Sequence, residues 1–500
     1  MERNPLYSYS FREHKFQILF FIFSAIIISY LSVNLTNYTF VIFCGALILF
    51  ILIISGANRL PIYFLLTYVV WGELLYSIFY LYLTKRYGIP AGFSFDIPLL
   101  VVIFIFIIQK ISNPEKWRYD GLDILISIFL FLIFLHLLNG MGKHTGIFNQ
   151  TRGFFFYFLY FPFVYYFSDL KEIDKIKKLV LWISVIFSIF AVMDALGLLL
   201  KYQYKILEGN YGVVQKWGLA LRFHTIEAVF AITFFFLLLA LLRNSKHSKL
   251  ARMFIIFLIC FMVIIILYSL TRSYQLGFLV SIFIYICIDI IFLKKVKLKR
   301  YFFFGIVFLG IIISSLFLAY KFAPNHFEFV KSIFSQRWDT SFIEREKSLG
   351  RRFDEITFFS KFFIQKPVFG YGIGKEQLFF ARDRLAYNMK RYIMISGPHN
   401  ELIYYLYSIG LVGTILYLSI LTIVLKRAIS NLRFLRSQKN LFYYHLQASM
   451  LTIIITFMII SNADWRFRRA HDVVWIALFY ALTRNISRLF GENGKIGKKD

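Results

Sequence analysis

The chain has little charge, less acid and almost no cysteine. Charged residues occupy 17% of its 500 positions, where an ordinary soluble domain carries about a quarter. With 59% hydrophobic residues and a mean hydropathy of +0.67, that shortage excludes a string of soluble domains, a disordered chain and a fibre. The three cysteines, Cys44, Cys260 and Cys287, each lie inside an apolar run, which excludes a disulfide-stapled secreted scaffold. Asp and Glu number 27 against 56 Lys and Arg, a net charge of +29. In a soluble protein that excess would point to nucleic acid. Here it is explained by bilayer topology, which collects Lys and Arg on cytoplasmic loops, and no nucleic-acid partner is expected. Asp-X-Asp, His-Glu-X-X-His and Walker-type Gly-Lys-Ser/Thr motifs are absent, so neither a metal site, a nucleotide site nor a cofactor is expected. Internal repeats and low-complexity tracts are also missing. Aromatics are so abundant, with 62 Phe and 33 Tyr, that a single one carries little information.

What remains is apolar runs. A helix needs about 20 apolar residues to cross roughly 30 Å of hydrocarbon. Candidate spans fall near 16–35, 38–56, 61–83, 97–111, 121–139, 153–168, 179–200, 224–242, 250–269, 274–293, 302–320, 400–425, 443–461 and 471–486. The runs at 97–111 and 471–486 are the shortest of these signals. The first run follows fifteen polar and basic residues without a small-residue cleavage site, and so reads as a retained span. The expected fold is an all-α integral membrane protein, a polytopic bundle of about 14 (12–14) transmembrane helices with one large periplasmic loop.

Basic clusters set the orientation. Lys171, Lys175, Lys177 and Lys178, then Arg243 to Arg252, then Lys294 to Arg300, then Lys426 to Lys439, then Arg484, Arg488 and the terminal lysines all fall on one side of such a bundle. That side is assigned to the cytoplasm, with both termini. The other side receives 201–223, Thr271–Ser273, 321–398 and 461–472. The stretch 321–398 is the only large extramembrane region. Its Phe353, Ile356, Phe359 and Phe363 suggest short amphipathic helices lying over the membrane face.

Three features converge on that outer face. Gly397-Pro398-His399-Asn400 opens the span at 400–425, with Pro398 suited to a first helical turn. At an outward-facing helix N-terminus the dipole disfavours imidazolium and attracts anions, so His399 is placed as a neutral ring able to accept a proton. An interfacial histidine that merely caps a helix is the bland alternative. Arg272, in Leu270-Thr271-Arg272-Ser273, and Arg222, in Leu221-Arg222-Phe223-His224, are outer-face cations against the topological bias. Their forked guanidinium groups suit phosphate oxygens, whereas snorkelling is the common alternative. Gly410, Gly413 and Thr414 are spaced for close approach of a neighbouring helix. Arg351 and Arg352 precede a glycine-rich stretch, Phe369-Gly370-Tyr371-Gly372-Ile373-Gly374, which reads as a tight turn more readily than as a phosphate loop. Arg466, Arg468 and Arg469, beside Asp464 and Asp472, read as a salt-bridged turn.

His399-Asn400, nine residues, Gly410, two residues and Gly413 resemble the His-Asn/Ser/Gln-X9-Gly-X-X-Gly signature of the O-antigen ligase and Wzy-type polymerase superfamily. Gly350-Arg351-Arg352 through Pro367–Gly372 resembles that family's large periplasmic loop, and Thr271-Arg272 its element ahead of the loop. The resemblance covers about 220–425. It implies a metal-independent glycosyltransferase of the GT-C type in the bacterial inner membrane. The donor would be a glycan on undecaprenyl pyrophosphate. His399 would act as the base or orienting group for the acceptor hydroxyl. Arg222 and Arg272 would hold the pyrophosphate, with Arg351, Arg352 and Asn400 as accessory candidates and Gly410 and Gly413 as helix-packing positions.

The implied organisation is a helical region over 1–200, a catalytic region over 201–425 that includes the loop 321–398, and C-terminal helices with a cytoplasmic tail over 426–500. Partners would be the lipid-linked glycan, a glycan or lipid A–core acceptor, membrane lipids and other polysaccharide-assembly proteins. A span count near fourteen favours a polymerase of surface-polysaccharide repeats over a ligase. A flippase or transporter is the alternative of another class, resting on the intramembrane acids Glu73, Asp194 and Asp289.

Overall fold

The computed structural model describes residues 119–141, 147–195, 225–243, 247–268, 272–293, 347–380, 392–438, 440–462 and 466–496, with a few isolated positions besides. Within these, some helix-end side chains are not described. The spans expected at 16–35, 38–56, 61–83, 97–111 and 302–320 lie essentially outside the described residues, as do Cys44, Glu73 and Arg222. Contacts divide the chain into Met1–Trp117 and Arg118–Asp500. The second unit carries all the elements of the site.

In chain order its elements are α1 (Gly121–Gly140), α2 (Ile147–Phe155), α3 (Tyr160–Tyr166), α4 (Leu170–Ala195), α5 (Thr225–Leu242), α6 (Lys249–Tyr268), α7 (Arg272–Leu293), α8 (Lys347–Gln365), β1 (Gln377–Phe380), β2 (Tyr392–Ile395), α9 (Glu401–Ser437), α10 (Leu441–Ile460) and α11 (Ala470–Ile496). Six of the described helices are long and apolar enough to cross a membrane: α1, α6, α7, α9, α10 and α11. The chain is a helical integral membrane protein. The run expected as one span at 153–168 is broken, with a 3-10 turn at Phe156–Leu159 between α2 and α3. Of the helices read from sequence as part of an N-terminal region, α1 packs on α9, α2 and α3 pack on α11, and α4 packs on α5 and α6.

The arrangement sorts helices by polarity. The apolar window of α10 is 83% buried and that of α6 only 33%. A helix facing lipid must be apolar all round, while a central one can carry hydrogen-bonding side chains if they find partners. α10 and α11 do so. Asn431 donates to Gln447 Oε1 (3.1 Å) and to the Thr483 carbonyl (2.9 Å), and Gln447 donates to Thr483 Oγ1 (3.1 Å). Asn485 donates to the carbonyls of Val164 and Phe167 at 2.9 Å. Ser281 on α7 meets Thr456 on α10. This explains why the run at 471–486 is a weak hydropathy signal: its helix is central.

Cross-contacts define two ends. At one, Tyr443 donates to Asp174 (2.8 Å), Lys177 lies over the Phe442 ring (3.8 Å) and Arg488 donates to the Ser168 carbonyl (3.0 Å). These are members of the basic clusters near 171–178 and 484–488. At the other end stand 396–405, 461–462, 466–472 and the start of α7.

The loop region holds α8 and a two-stranded antiparallel ribbon in which Gln377 pairs with Ile395 and Phe380 with Tyr392. The strands were not expected. The buried face of α8 is also rotated from the one expected. Phe353 is exposed, and Glu355 and Phe359 are buried. Phe359 and Phe362 pack on the Tyr407 ring of α9, with centroids at 4.7 and 6.4 Å.

Candidate functional site

α9 is 37 residues long, about 55 Å at 1.5 Å per residue, far more than the bilayer core requires. Near its start it is interrupted. Gly410 has φ 66° and ψ −168°, a conformation L side chains rarely adopt. The break frees carbonyls before it and amides after it, and the loop after α8 uses all four. Tyr371 and Gly372 donate to the carbonyls of Tyr407 (2.8 Å) and Ser408 (3.0 Å). Leu411 and Val412 donate to those of Pro367 (2.8 Å) and Val368 (3.2 Å). Gly370, at φ 71°, makes the approach possible: a Cβ there would meet the Tyr407 carbonyl oxygen at 2.6 Å and Gly410 N at 2.7 Å.

The expectation for Gly410 and Gly413 is corrected by this arrangement. Gly410 faces the backbone of Val368 and Gly370 rather than a neighbouring helix, and Gly413 makes room for the Ile409 side chain of its own helix. Spacing alone cannot distinguish a small residue needed for helix packing from one needed for its φ. The glycine-rich stretch is a turn, as expected. Its amides at Tyr371 and Gly372 are spent on α9.

The chain reaches α9 from β2 through Ser396–His399. The helix begins later than expected: Asn400 is the N-cap, accepting from Ile403 N (3.1 Å), so Pro398 precedes the cap rather than occupying the first turn. Asn400 also donates to Asn462 Oδ1 (3.2 Å), which makes it a cap tied to the α10–α11 turn. His399 stands one residue outside the helix, its side chain 40% exposed. Its Nδ1 is 2.7 Å from Glu355 Oε2, and its backbone N–H donates to the same oxygen (3.2 Å). Glu355 is 1% exposed. A carboxylate in that position accepts from Nδ1–H, the tautomer whose lone pair is on Nε2.

Beneath His399 lies the turn that joins α10 to α11. Arg466 pairs with Asp472 (2.9 Å), contacts the Tyr274 hydroxyl and donates its backbone N–H to Glu401 (3.0 Å). The salt-bridged reading of this turn holds for Arg466. Arg468 finds its acid outside the turn. Its guanidinium stacks on Tyr404, 3.3 Å from the ring centroid, and reaches Gln150 Oε1 (3.0 Å) and the Pro398 carbonyl (3.4 Å), with Glu401 at 3.7 Å. Gln150 in turn donates to Ser396 Oγ (2.9 Å). Gly153 sits directly against the Arg468 carbonyl, where no Cβ fits.

Of the residues singled out from sequence, His399 and Asn400 come together here. Arg272 opens α7 two residues before Tyr274, so its backbone stands at this end of the bundle; its side chain, like that of Arg351, is not among the described ones. Arg352 is partly exposed on α8. Glu355, Arg468 and Gln150 were not foreseen. Glu355 lies four residues before Phe359 and hence on its face of α8, a spacing visible in the sequence. Arg468 was as anomalous an outer-face cation as Arg222 or Arg272. Gln150 carried no signal. Among the described residues no group of three or more His, Cys, Asp or Glu is placed to hold a metal ion.

A bundle of membrane-length helices with a half-exposed, carboxylate-bound histidine at the mouth of a broken helix defines a polytopic membrane protein with a site at one end. Residues 255–418 match a family model described as O-antigen ligase. This stretch is similar to the O-antigen ligase/Wzy-type superfamily, and the resemblance carried by His399, Asn400, Gly410 and Gly413 is borne out. The family carries out membrane glycosyl transfer in O-antigen assembly. The matched stretch includes Arg272, Arg351, Arg352 and His399; Arg222 precedes it and Arg468 follows it. A search of curated proteins found no match.

Proposed function

We propose that the protein transfers a glycan from undecaprenyl pyrophosphate to an acceptor sugar hydroxyl at the His399 end of the bundle, on the periplasmic face of a bacterial inner membrane. The observation that carries this reading is His399 itself, part of the family-matched stretch, half-exposed at the head of α9 with its Nδ1 held by a buried carboxylate. The acceptor hydroxyl gives its proton to Nε2 as its oxygen bonds the anomeric carbon. The bond from that carbon to the pyrophosphate breaks, and the lipid pyrophosphate leaves with the electron pair. Arg272 and Arg222 hold the leaving group. The nearness of the α7 start to the Arg466 turn supports this role for Arg272. No divalent metal is required in this scheme.

The particular transfer we assign is polymerisation of surface-polysaccharide repeats, on the sequence-based span count. The description of the matched family favours a second reading, transfer to lipid A–core by a ligase. Purified full-length protein incubated with a lipid-linked repeat unit separates them. Laddered products support the polymerase, and transfer onto added lipid A–core alone supports the ligase. Absence of both, or loss of all transfer in EDTA, overturns the scheme. Arg272→Lys keeps the charge but loses the fork, so it should lower turnover as well.

A further inference from the structure

We propose that Glu355 is a positioning residue for His399, the carboxylate of a carboxylate–imidazole pair that selects the proton-accepting tautomer and aims the ring. The inference rests on the reading of His399 as acceptor base and deepens it. One oxygen, Glu355 Oε2, receives both the ring Nδ1–H (2.7 Å) and the backbone N–H (3.2 Å) of His399. Two bonds to one acceptor fix the residue's backbone and its ring together, so the imidazole is held at two points.

Glu355 is itself held. It is 1% exposed on α8, and one turn further along that helix Phe359 packs against Tyr407 of α9 with centroids at 4.7 Å. The loop that follows α8 is hydrogen-bonded into the break of α9 on both sides. The carboxylate and the imidazole thus ride on two elements locked to each other. Burying a carboxylate is costly unless it is hydrogen-bonded and paired, and a residue that served only packing would be served better by an apolar side chain. With Nδ1–H committed to Glu355, Nε2 is the nitrogen that takes the acceptor proton. The imidazolium so formed is stabilised by the adjacent carboxylate until it releases the proton to water, with Glu355 remaining ionised throughout.

Glu355→Gln tests this with the shape preserved. The amide can turn its N–H toward Nδ1 and impose the opposite tautomer, which leaves Nε2 protonated. Turnover of purified full-length protein on a lipid-linked repeat should fall about 10²-fold or more, with the donor KM and the Tm in detergent unchanged. Glu355→Asp restores the charge on a shorter arm and should recover at least about tenfold over Glu355→Gln. Wild-type turnover in Glu355→Gln overturns the proposal. So does a loss shared equally by Gln and Asp that follows a fall in Tm, which would make Glu355 a structural buried acid. His399→Ala is run alongside. If it retains wild-type turnover, the base assignment fails; if it is inactive while Glu355→Gln is not, only the positioning role fails.

Discussion

Two sites at opposite ends of α9 hold a buried acid in different ways. At the far end, Arg427 donates in bidentate fashion to Asp120 (2.6 and 2.5 Å), Arg484 bonds Asp123 (2.8 Å), and Tyr160 donates to the other Asp123 oxygen (2.6 Å). Cation answers anion there, and Arg484 and Asp123 are both buried. At the near end the buried Glu355 is answered by a histidine that is 40% exposed. A closed pair joins helices. A buried acid that orients a half-exposed base leaves chemistry accessible. On the proposed function the Asp123 pair is structural and the Glu355–His399 pair is reactive, and three substitutions bear on that contrast.

The largest effect is expected at the near end. His399→Ala should lower transfer by about 10²- to 10⁴-fold, the usual contribution of a general base, with the Tm essentially unchanged. A fall in Tm equal to that of a core substitution would erase the distinction between the ends. Arg484→Ala should do the reverse. Removing one partner of a buried pair costs about 3–5 kcal/mol, read as a large loss of Tm or of detergent-extractable protein, with turnover per folded molecule retained. The smallest effect sharpens the far end. Asp120 caps α1, its side chain accepting from Leu122 N (3.1 Å). Burial raises its pKa, but the Arg427 hydrogen bond, the Leu122 amide and the charges of Arg427 and Arg484 outweigh that and hold it below 3.8. A depressed carboxylate contributes stability above its unfolded pKa and loses it as pH falls through the folded value. Asp120→Asn keeps a capping oxygen and removes the charge. It should cost about 1 kcal/mol or less near neutral pH, and the difference from wild type should vanish in acid melts well below pH 3.8. A difference that persists there would show that shape, not charge, is what Asp120 supplies.

The family resemblance and the membrane helices were legible in the sequence, which also singled out His399, because apolar runs and a spaced motif are local signals. The partners of His399 were not legible to the same degree. Glu355 is 44 residues away on a helix whose abundant phenylalanines blur the periodicity, and Arg468 lies beyond two whole membrane helices. Arg427 and Arg484 illustrate the opposite error. Both belong to stretches counted as topological charge, yet each is paired with an acid at the start of α1. A positive-inside argument counts cations without asking what they touch.

The break at Gly410 bears on how the site can move. A lid needs a hinge on which backbone bonds are few. The loop over 367–372 is instead joined to α9 by four main-chain hydrogen bonds, two on each side of Gly410. Swinging it away would strand two amides and two carbonyls of the helix together. That stretch is therefore a splint set into the helix. It ties α8, which carries Glu355, to α9, which His399 precedes.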